Sequence, residues 1–560
     1  MRTLFCCGTT RKKSKWEEIE HEAERLELLP SWDTPDNVLM MQAFEWHVPA
    51  DQRHWRRLDK VLPDLKDVGV DIIWLPPGCK AMSPSTNGYD IYDLYDLGEF
   101  DQKGSRATKW GTKEELLALS LTAQKLGIGI YWDAVLNHKA AADYTERFKA
   151  VKVDPQGMLD ALFVTAFVPQ DTDRLFSERN IELSKPEEIE GWVGYEFPGR
   201  GEKYSSMKYH WYHFSGIDYN ALENKNAIYK IAGPGKKWAQ DVSKENGNYD
   251  YLMFADLDYS NEDVRQDVLH WGEWIGHQLP LSGMRLDAAK HYSSRFQREF
   301  VEHMKRTVGA EWTFIGEYWK GSAGELLDYL QRMDRQVSVF DVPLVYRLSR
   351  FSQTEGADLR RIFDETLVRY EPQHAVTFVA NHDTLTNKQP GQCLEAPITA
   401  YFKPLAYALI LLRREGQPCI FYGDLYGIKG GPNSPLPPSC GGRLPHLALA
   451  RKLYAYGEQR DYFDLRNCIG FVRYGNLRHP SGLACVLSNG AASTKRMFVG
   501  KQHAGERWTD VLEWNSETVV IDNQGYGVFP VLAMSVSVWV NQRADGRDRF
   551  GHFDTNIYKY

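Results

Sequence analysis

Short apolar runs alternate with longer amphipathic stretches from residue 38 to about residue 460. The runs VLMMQAF (38–44), DIIWLPP (71–77), IGIYWDAVLNH (128–138), GMRLDAAKH (283–291), TFIGEYW (313–319), SVFDVPL (338–344), AVTFVANHD (375–383) and CIFYGD (419–424) each predict a buried strand. Helical spacing fills several intervals. In WRRLDKVLPDLKDVG, Trp55, Leu58, Leu62 and Leu65 fall on one face and Gly69 stops the helix. Eight strands with helices between them predict an α/β fold closed into a (β/α)8 TIM barrel rather than an open sheet.

Two stretches break this rhythm. Residues 139–250 are too long for one crossover and rich in Tyr, Trp, Gly and Asn, as in KYHWYHFSG (208–216) and ENGNYDYLMFAD (245–256). They predict an irregular or β-rich subdomain inserted after strand 3. Beyond about residue 464 the runs CIGFVRYG, LACVLSNG, KRMFVG, ETVVID and MSVSVWV have the spacing of a C-terminal antiparallel β-sandwich. The expected plan is an N-terminal tail (1–35), a barrel (36–138 and 251–464), the insertion (139–250), a sandwich (465–541) and a polar tail (542–560).

Composition narrows the partners. The net charge of −8 argues against nucleic acid, whose phosphates need a basic surface. The 17 Trp, 30 Tyr and 25 Phe suit either core packing or a cleft in which sugar rings lie on aromatic faces. The N-terminus MRTLFCCGTTRKKSKWEEIEHE lacks the apolar run of a secretory signal, and no window approaches the ~18 apolar residues of a membrane span. The eight cysteines show no framework spacing, and no Asn-x-Ser/Thr acceptor occurs. A cytoplasmic monomer is expected. Cys6 and Cys7, beside Arg11-Lys12-Lys13, offer a palmitate site and weak membrane contact, against the plainer reading of an undecorated tail.

Four predicted strands end in polar residues that an apolar core would exclude: Asp133, Asn137 and His138; Arg285, Asp287, Lys290 and His291; Glu317 and Trp319; Asn381, His382 and Asp383. In a barrel of this kind chemistry sits at the strand C-termini. These segments match, in order and spacing, those of the α-amylase family of glycoside hydrolases. QAFEWHVP, IWLPP, NGYDIYDLYDLGEF, DQKG, WGTKEEL, GNYDYLMFADLDY, NHDT, YGDLYG, ARKLYAYGEQRDYFD and GLACVLSNG extend the resemblance to the liquefying bacterial type and its intracellular fungal relatives, over roughly 36–541.

The resemblance implies an endo-acting α-1,4-glucan hydrolase with a retaining mechanism. Asp287 is then the nucleophile, Glu317 the general acid/base and Asp383 the transition-state stabiliser. Retention needs the first two carboxyls ~5–5.5 Å apart. Arg285 would keep Asp287 ionised, and the charges of Asp287 and Asp383 would keep Glu317 protonated. Tyr89 is expected to stack on the sugar, His138 and His382 to hydrogen-bond it, and Lys290, His291 and Trp319 to lie on the leaving-group side. One structural Ca²⁺ is implied, held by Asn137, Asp250, Asp256 and the main-chain oxygen of His291. Extra aspartates that hold further ions in liquefying bacterial enzymes are replaced by Ser215, Ala239 and Ser260, so no metal cluster is expected. Ala380 stands where Asp is common. Two alternatives stay open: a 4-α-glucanotransferase acting on malto-oligosaccharides through the same intermediate, and an inactive amylase-like binding protein. A cytoplasmic enzyme of this kind would trim or make short malto-oligosaccharides, for storage or for priming cell-wall α-glucan.

Overall fold

The structure is a computed structural model that describes residues 37–153, 182–245, 247–384, 396–431 and 434–560. Cys6, Cys7 and the expected tail 1–35 lie outside the described residues. Eight parallel strands close into a barrel: β1 (Met40–Gln42), β2 (Ile72–Trp74), β3 (Gly129–Ala134), β4 (Gly283–Leu286), β5 (Thr313–Gly316), β6 (Ser338–Phe340), β7 (Ala375–Phe378) and β8 (Gln417–Phe421). Each pairs with its sequence neighbours, and β8 closes the ring on β1 through Met40 opposite Cys419. All eight predicted runs carry a barrel strand.

The strands are shorter than the apolar runs, for a local reason. Polar residues at the run ends need partners that a ladder cannot give, so the backbone turns away first. After Leu286, Ala288 adopts φ 50°, and residues 287–291 form a loop. In SVFDVPL the strand stops at Phe340, and the Asp341 carboxylate accepts the amides of Leu344, Leu367 and Val368. It thereby caps a helix over Val342–Gln353. The helix predicted after β1 spans His54–Asp67 and buries Trp55, Leu58, Leu62 and Leu65. Gly69 at φ 99° ends it, donating its N–H to the Lys66 carbonyl.

The insertion forms a six-stranded antiparallel sheet in the order His138–Lys139, Ala255–Leu257, Phe214–Asn220, Lys225–Ile231, Tyr144–Lys152, Glu187–Gly194. Its first two strands pair Asp256 with His138, which roots the sheet at the mouth of β3. At the C-terminus a six-stranded sheet faces a two-stranded one over a core of Met497, Trp508, Phe529 and Trp539. Its first strand, Gln459–Leu465, is an edge whose side chains are mostly solvent-facing, so it left no apolar signature in the sequence. Residues 542–560, expected as a polar tail, fold back over the barrel and bury Ile557. Their few apolar and aromatic residues do the docking, and the polar majority faces water.

Candidate active site

β3, β4 and β5 lie in register, with Arg285 beside both Asp133 and Ile315. Residues two apart on a strand share a face, so Arg285 and Asp287 both project above the barrel floor. The Arg285 guanidinium, 1% exposed, donates through Nη1 to Asp133 Oδ1 and Asp287 Oδ1, each at 2.6 Å. Its Nη2 lies 2.5 Å from Glu317 Oε1. One guanidinium therefore bridges Asp287 and Glu317, holding both carboxyls against the same buried cation. The Ala288 amide donates to Glu317 Oε2 at 3.0 Å. Asp383 follows β7 in a turn where the Asn381 side-chain oxygen accepts the amides of Asp383 and Thr384, each at 2.9 Å.

The electrostatics follow from burial. The Asp287 and Glu317 side chains keep only 10% and 11% of their surface, and that loss of water pushes both carboxyls up to about 7. Arg285 opposes this shift in each. Asp383 and Asp133 raise Asp287 further, while Asp287 and Asp383 raise Glu317. Carboxyls this close around one cation release their protons as a set.

Beside the carboxyls stands an aromatic wall. Tyr89 and His382 stack with centroids 5.1 Å apart and planes 5° apart, and Trp46 lies 9° from the Tyr89 plane at 6.1 Å. Asp133 Oδ2 accepts from the Tyr89 hydroxyl at 2.9 Å and from Trp74 Nε1 at 3.0 Å. The Gln42 amide hydrogen-bonds His382 Nδ1 at 2.8 Å, and His382 Nε2 lies 3.2 Å from Asp383 Oδ2. His138 lies behind the Tyr89 main chain. Its Nε2 bonds the Tyr89 carbonyl at 2.7 Å and its Nδ1 lies 3.3 Å from Asn137 Nδ2. Burial lowers its pKa to about 4.

Lys290, His291 and Trp319 sit on the β4 and β5 side, tied to their surroundings. Lys290 Nζ lies 3.0 Å from Glu245 Oε2 of the insertion, which also lies 3.4 Å from Lys320. His291 Nδ1 bonds the Tyr249 carbonyl at 2.9 Å, and Trp319 Nε1 donates to the Tyr346 hydroxyl at 2.9 Å. Sequence reasoning named Asp133 without a role, and gave none to Trp46, Gln42 or Glu245. The first three lie within segments that carried the resemblance, whereas nothing local marks Glu245 as the insertion's anchor.

Asn137, Asp250, Asp256 and His291 are all buried where the insertion meets the barrel. Asn137 Oδ1 has no hydrogen-bond partner, and its Nδ2 donates weakly to Asp256 Oδ1 at 3.4 Å. Burial pushes Asp250 and Asp256 well above the usual carboxylate range, and Asp250 raises Asp256 further. No group of three or more His, Cys, Asp or Glu among the described residues is arranged to hold a metal. The set offers two carboxylates, one orphaned amide oxygen and main-chain carbonyls, the hard oxygen chemistry of a calcium site. The Ser215 hydroxyl donates to Asp256, the Ala239 amide to Asp250 and the Ser260 hydroxyl to Asp258. Lys236 Nζ sits 2.6 Å from Asp258. Ala380 packs against Phe421 and Ile428, an apolar setting that suits alanine.

The chain is similar to known proteins along most of its length. Residues 58–434 match the alpha-amylase catalytic domain, and residues 483–540 the alpha-amylase C-terminal domain. The chain is 44% identical over 508 residues to the alpha-amylase of Bacillus licheniformis, covering 90% of this chain and 94% of that protein. It is 43% identical over 509 residues to the glucan 1,4-alpha-maltohexaosidase of Bacillus sp. (strain 707), covering 90% and 93%. It is 37% identical over 516 residues to the cytoplasmic alpha-amylase of Escherichia coli (strain K12), covering 90% and 99%. The alpha-amylase of Geobacillus thermoleovorans, solved with acarbose, shares the fold at a TM-score of 0.58 and 16% identity, over 91% of this chain and 99% of that one. With an eight-stranded barrel, three carboxyls at its mouth and these relatives along nearly its whole length, the chain belongs to the alpha-amylase family.

Proposed function

We propose that this enzyme is an endo-acting α-1,4-glucan hydrolase that retains anomeric configuration. An Asp287 oxygen attacks the anomeric carbon while Glu317 gives its proton to the departing glycosidic oxygen. The C–O bond to the leaving chain breaks as the glycosyl–Asp287 ester forms. Glu317, now ionised, takes a proton from water, and the resulting attack at the same carbon releases Asp287. Asp383 and His382 hold sugar hydroxyls of the distorted ring, and Tyr89 with Trp46 forms its apolar bed. Lys290, His291 and Trp319 line the leaving-group side. His138 hydrogen-bonds the same distorted sugar and also holds the Tyr89 carbonyl. The observation that carries this reading is the Arg285 guanidinium touching Asp133, Asp287 and Glu317 at once.

A time course on maltoheptaose, run beside Asp287→Asn, tests it. The wild type should give shorter malto-oligosaccharides whose new reducing ends are first α, and the near-isosteric variant should fold and be inactive. Products longer than the substrate would instead make the enzyme a glucanotransferase; equal turnover in the two proteins would remove Asp287 from its role.

We further propose one structural calcium ion held by Asn137, Asp250, Asp256 and the His291 main-chain oxygen. The unpaired Asn137 Oδ1 and the two buried carboxylates support this fit. The ion would supply only cohesion between insertion and barrel. We also propose a cytoplasmic location. It is supported by the name of the E. coli relative, a cytoplasmic alpha-amylase. Among the described residues no helix is long and apolar enough to cross a membrane.

A further inference from the structure

The last strand of the sandwich ends at Asn541, and the family match stops at residue 540. The chain beyond runs back along the barrel. Phe550 stacks on Tyr454 at 6.1 Å, Arg549 donates to the Asp67 carbonyl at 2.5 Å, and Phe553 meets Tyr426 at 6.0 Å. Ile557 is then 1% exposed, and the Tyr558 ring lies 5.1 Å from the Arg57 guanidinium and 4.2 Å from Lys429 Nζ. The last of these contacts reach Tyr426 and Lys429, which follow β8, and Arg57 in the first turn of the helix after β1.

The loop between β1 and that helix carries Glu45 and Trp46. Glu45 is fully buried, with Oε2 accepting the His47 amide at 2.6 Å and Oε1 without a partner. The loop is clamped from the β8 side as well: a Cβ on Gly431 (φ 85°) would lie 2.5 Å from the His47 ring. On its other side, Trp46 stacks with Tyr89 and His382. We propose that residues 553–560 are a strap that positions the Glu45–Trp46 loop, so that Tyr558 sets the aromatic wall of the sugar site without touching substrate. The idea rests on the α-glucan reading of that site. A buried carboxyl with an unpaired oxygen keeps its place only while its shell stays closed. Tyr558 backs that shell from the β8 side: its ring lies 4.2 Å from Lys429 Nζ, and the two residues after Lys429 press on His47, where a Cβ on Gly430 would lie 2.9 Å from the carbonyl oxygen. Burial in turn pushes Glu45 up to about 7. With the ring gone, Lys429 and the Gly430–Gly431 turn lose their backing, the 45–47 turn relaxes and Trp46 leaves its stacked position.

The test uses the full chain with Tyr558→Ala, measured well below its melting temperature. KM for maltoheptaose should rise roughly 3–10-fold with kcat within about twofold, the pattern of lost uniform binding. Amide exchange at residues 43–48 should quicken, and Tyr558→Phe should return both readings to wild type. A folded Tyr558→Ala with wild-type KM and wild-type exchange at 43–48 overturns the proposal, even if its melting temperature falls. If Tyr558→Ala does not fold, Tyr558→Leu must show the same direction in both readings or the proposal falls. Should the wild type leave maltoheptaose untouched, the functional reading fails while the exchange arm still decides whether the strap holds the loop.

Discussion

Arg285 is the residue on which the site turns. Its planar fork reaches Asp133, Asp287 and Glu317 from one buried point, which a lysine ammonium on a flexible stem does not reproduce. Arg285→Lys should therefore lower kcat/KM on maltoheptaose by about 100-fold or more while leaving the fold intact by circular dichroism. Retention of half the activity would refute that role. The raised carboxyls also set a pH response. Activity belongs to the state in which Asp287 is ionised and the remaining proton sits on Glu317. Raising the pH through about 7 strips Glu317 of the proton it donates, and lowering it adds one to Asp287, so kcat/KM should be bell-shaped with its alkaline fall near 7. A flat profile from about pH 5 to 9 would contradict the assignment. At this scale the sequence was informative because charged residues at strand ends are conspicuous against apolar runs. His138 shows the limit. Its presence beside Asn137 was legible, but the direction of its ring depends on the Tyr89 carbonyl, 49 residues away in sequence.

The elements are short, and their ends matter more than their middles. Barrel strands of three to six residues stop where polar side chains begin, so the apolar runs located each strand while overstating its length. The insertion was legible as an irregular or β-rich interruption after strand 3, but not in its strand order. Its six-strand order depends on pairings between distant segments, such as Ala255 with Lys139, that no local pattern encodes. Calcium removal tests how this element is held. Asp250 and Asp256 have folded pKa values raised above the unfolded range, so their folded state is favoured at low pH and loses ground as pH rises through those values. In chelator, then, the melting temperature should fall by several degrees, and further with each step of pH above the ordinary carboxylate value of about 4. Saturating calcium should flatten that slope. An identical melting temperature with and without chelator across the range would overturn the proposed ion.

For the molecule as a whole, barrel and sandwich share one apolar cluster. It contains Leu405 and Leu409 of the helix Lys403–Leu412 together with Ile469, Phe471, Leu487 and Val538 of the sandwich. Calorimetry should show these two parts melting in a single transition, and two resolved transitions would mean the shared cluster does not couple them. Leu487→Ala, at a fully buried position, should lower stability by about 3 kcal/mol and take the active site down at the same reduced temperature.

Ring closure between β1 and β8 has a consequence for synthesis. By the time residue 383 has left the ribosome, all three carboxyls of the trio exist, yet strand 417–421, which seals the ring against Met40–Gln42, has not emerged. A nascent chain arrested short of that strand holds every catalytic group and no closed scaffold to aim them. Polysomes carrying such arrested chains should consequently show no glucan cleavage, and extension past residue 421 is the earliest point at which a cleft can form.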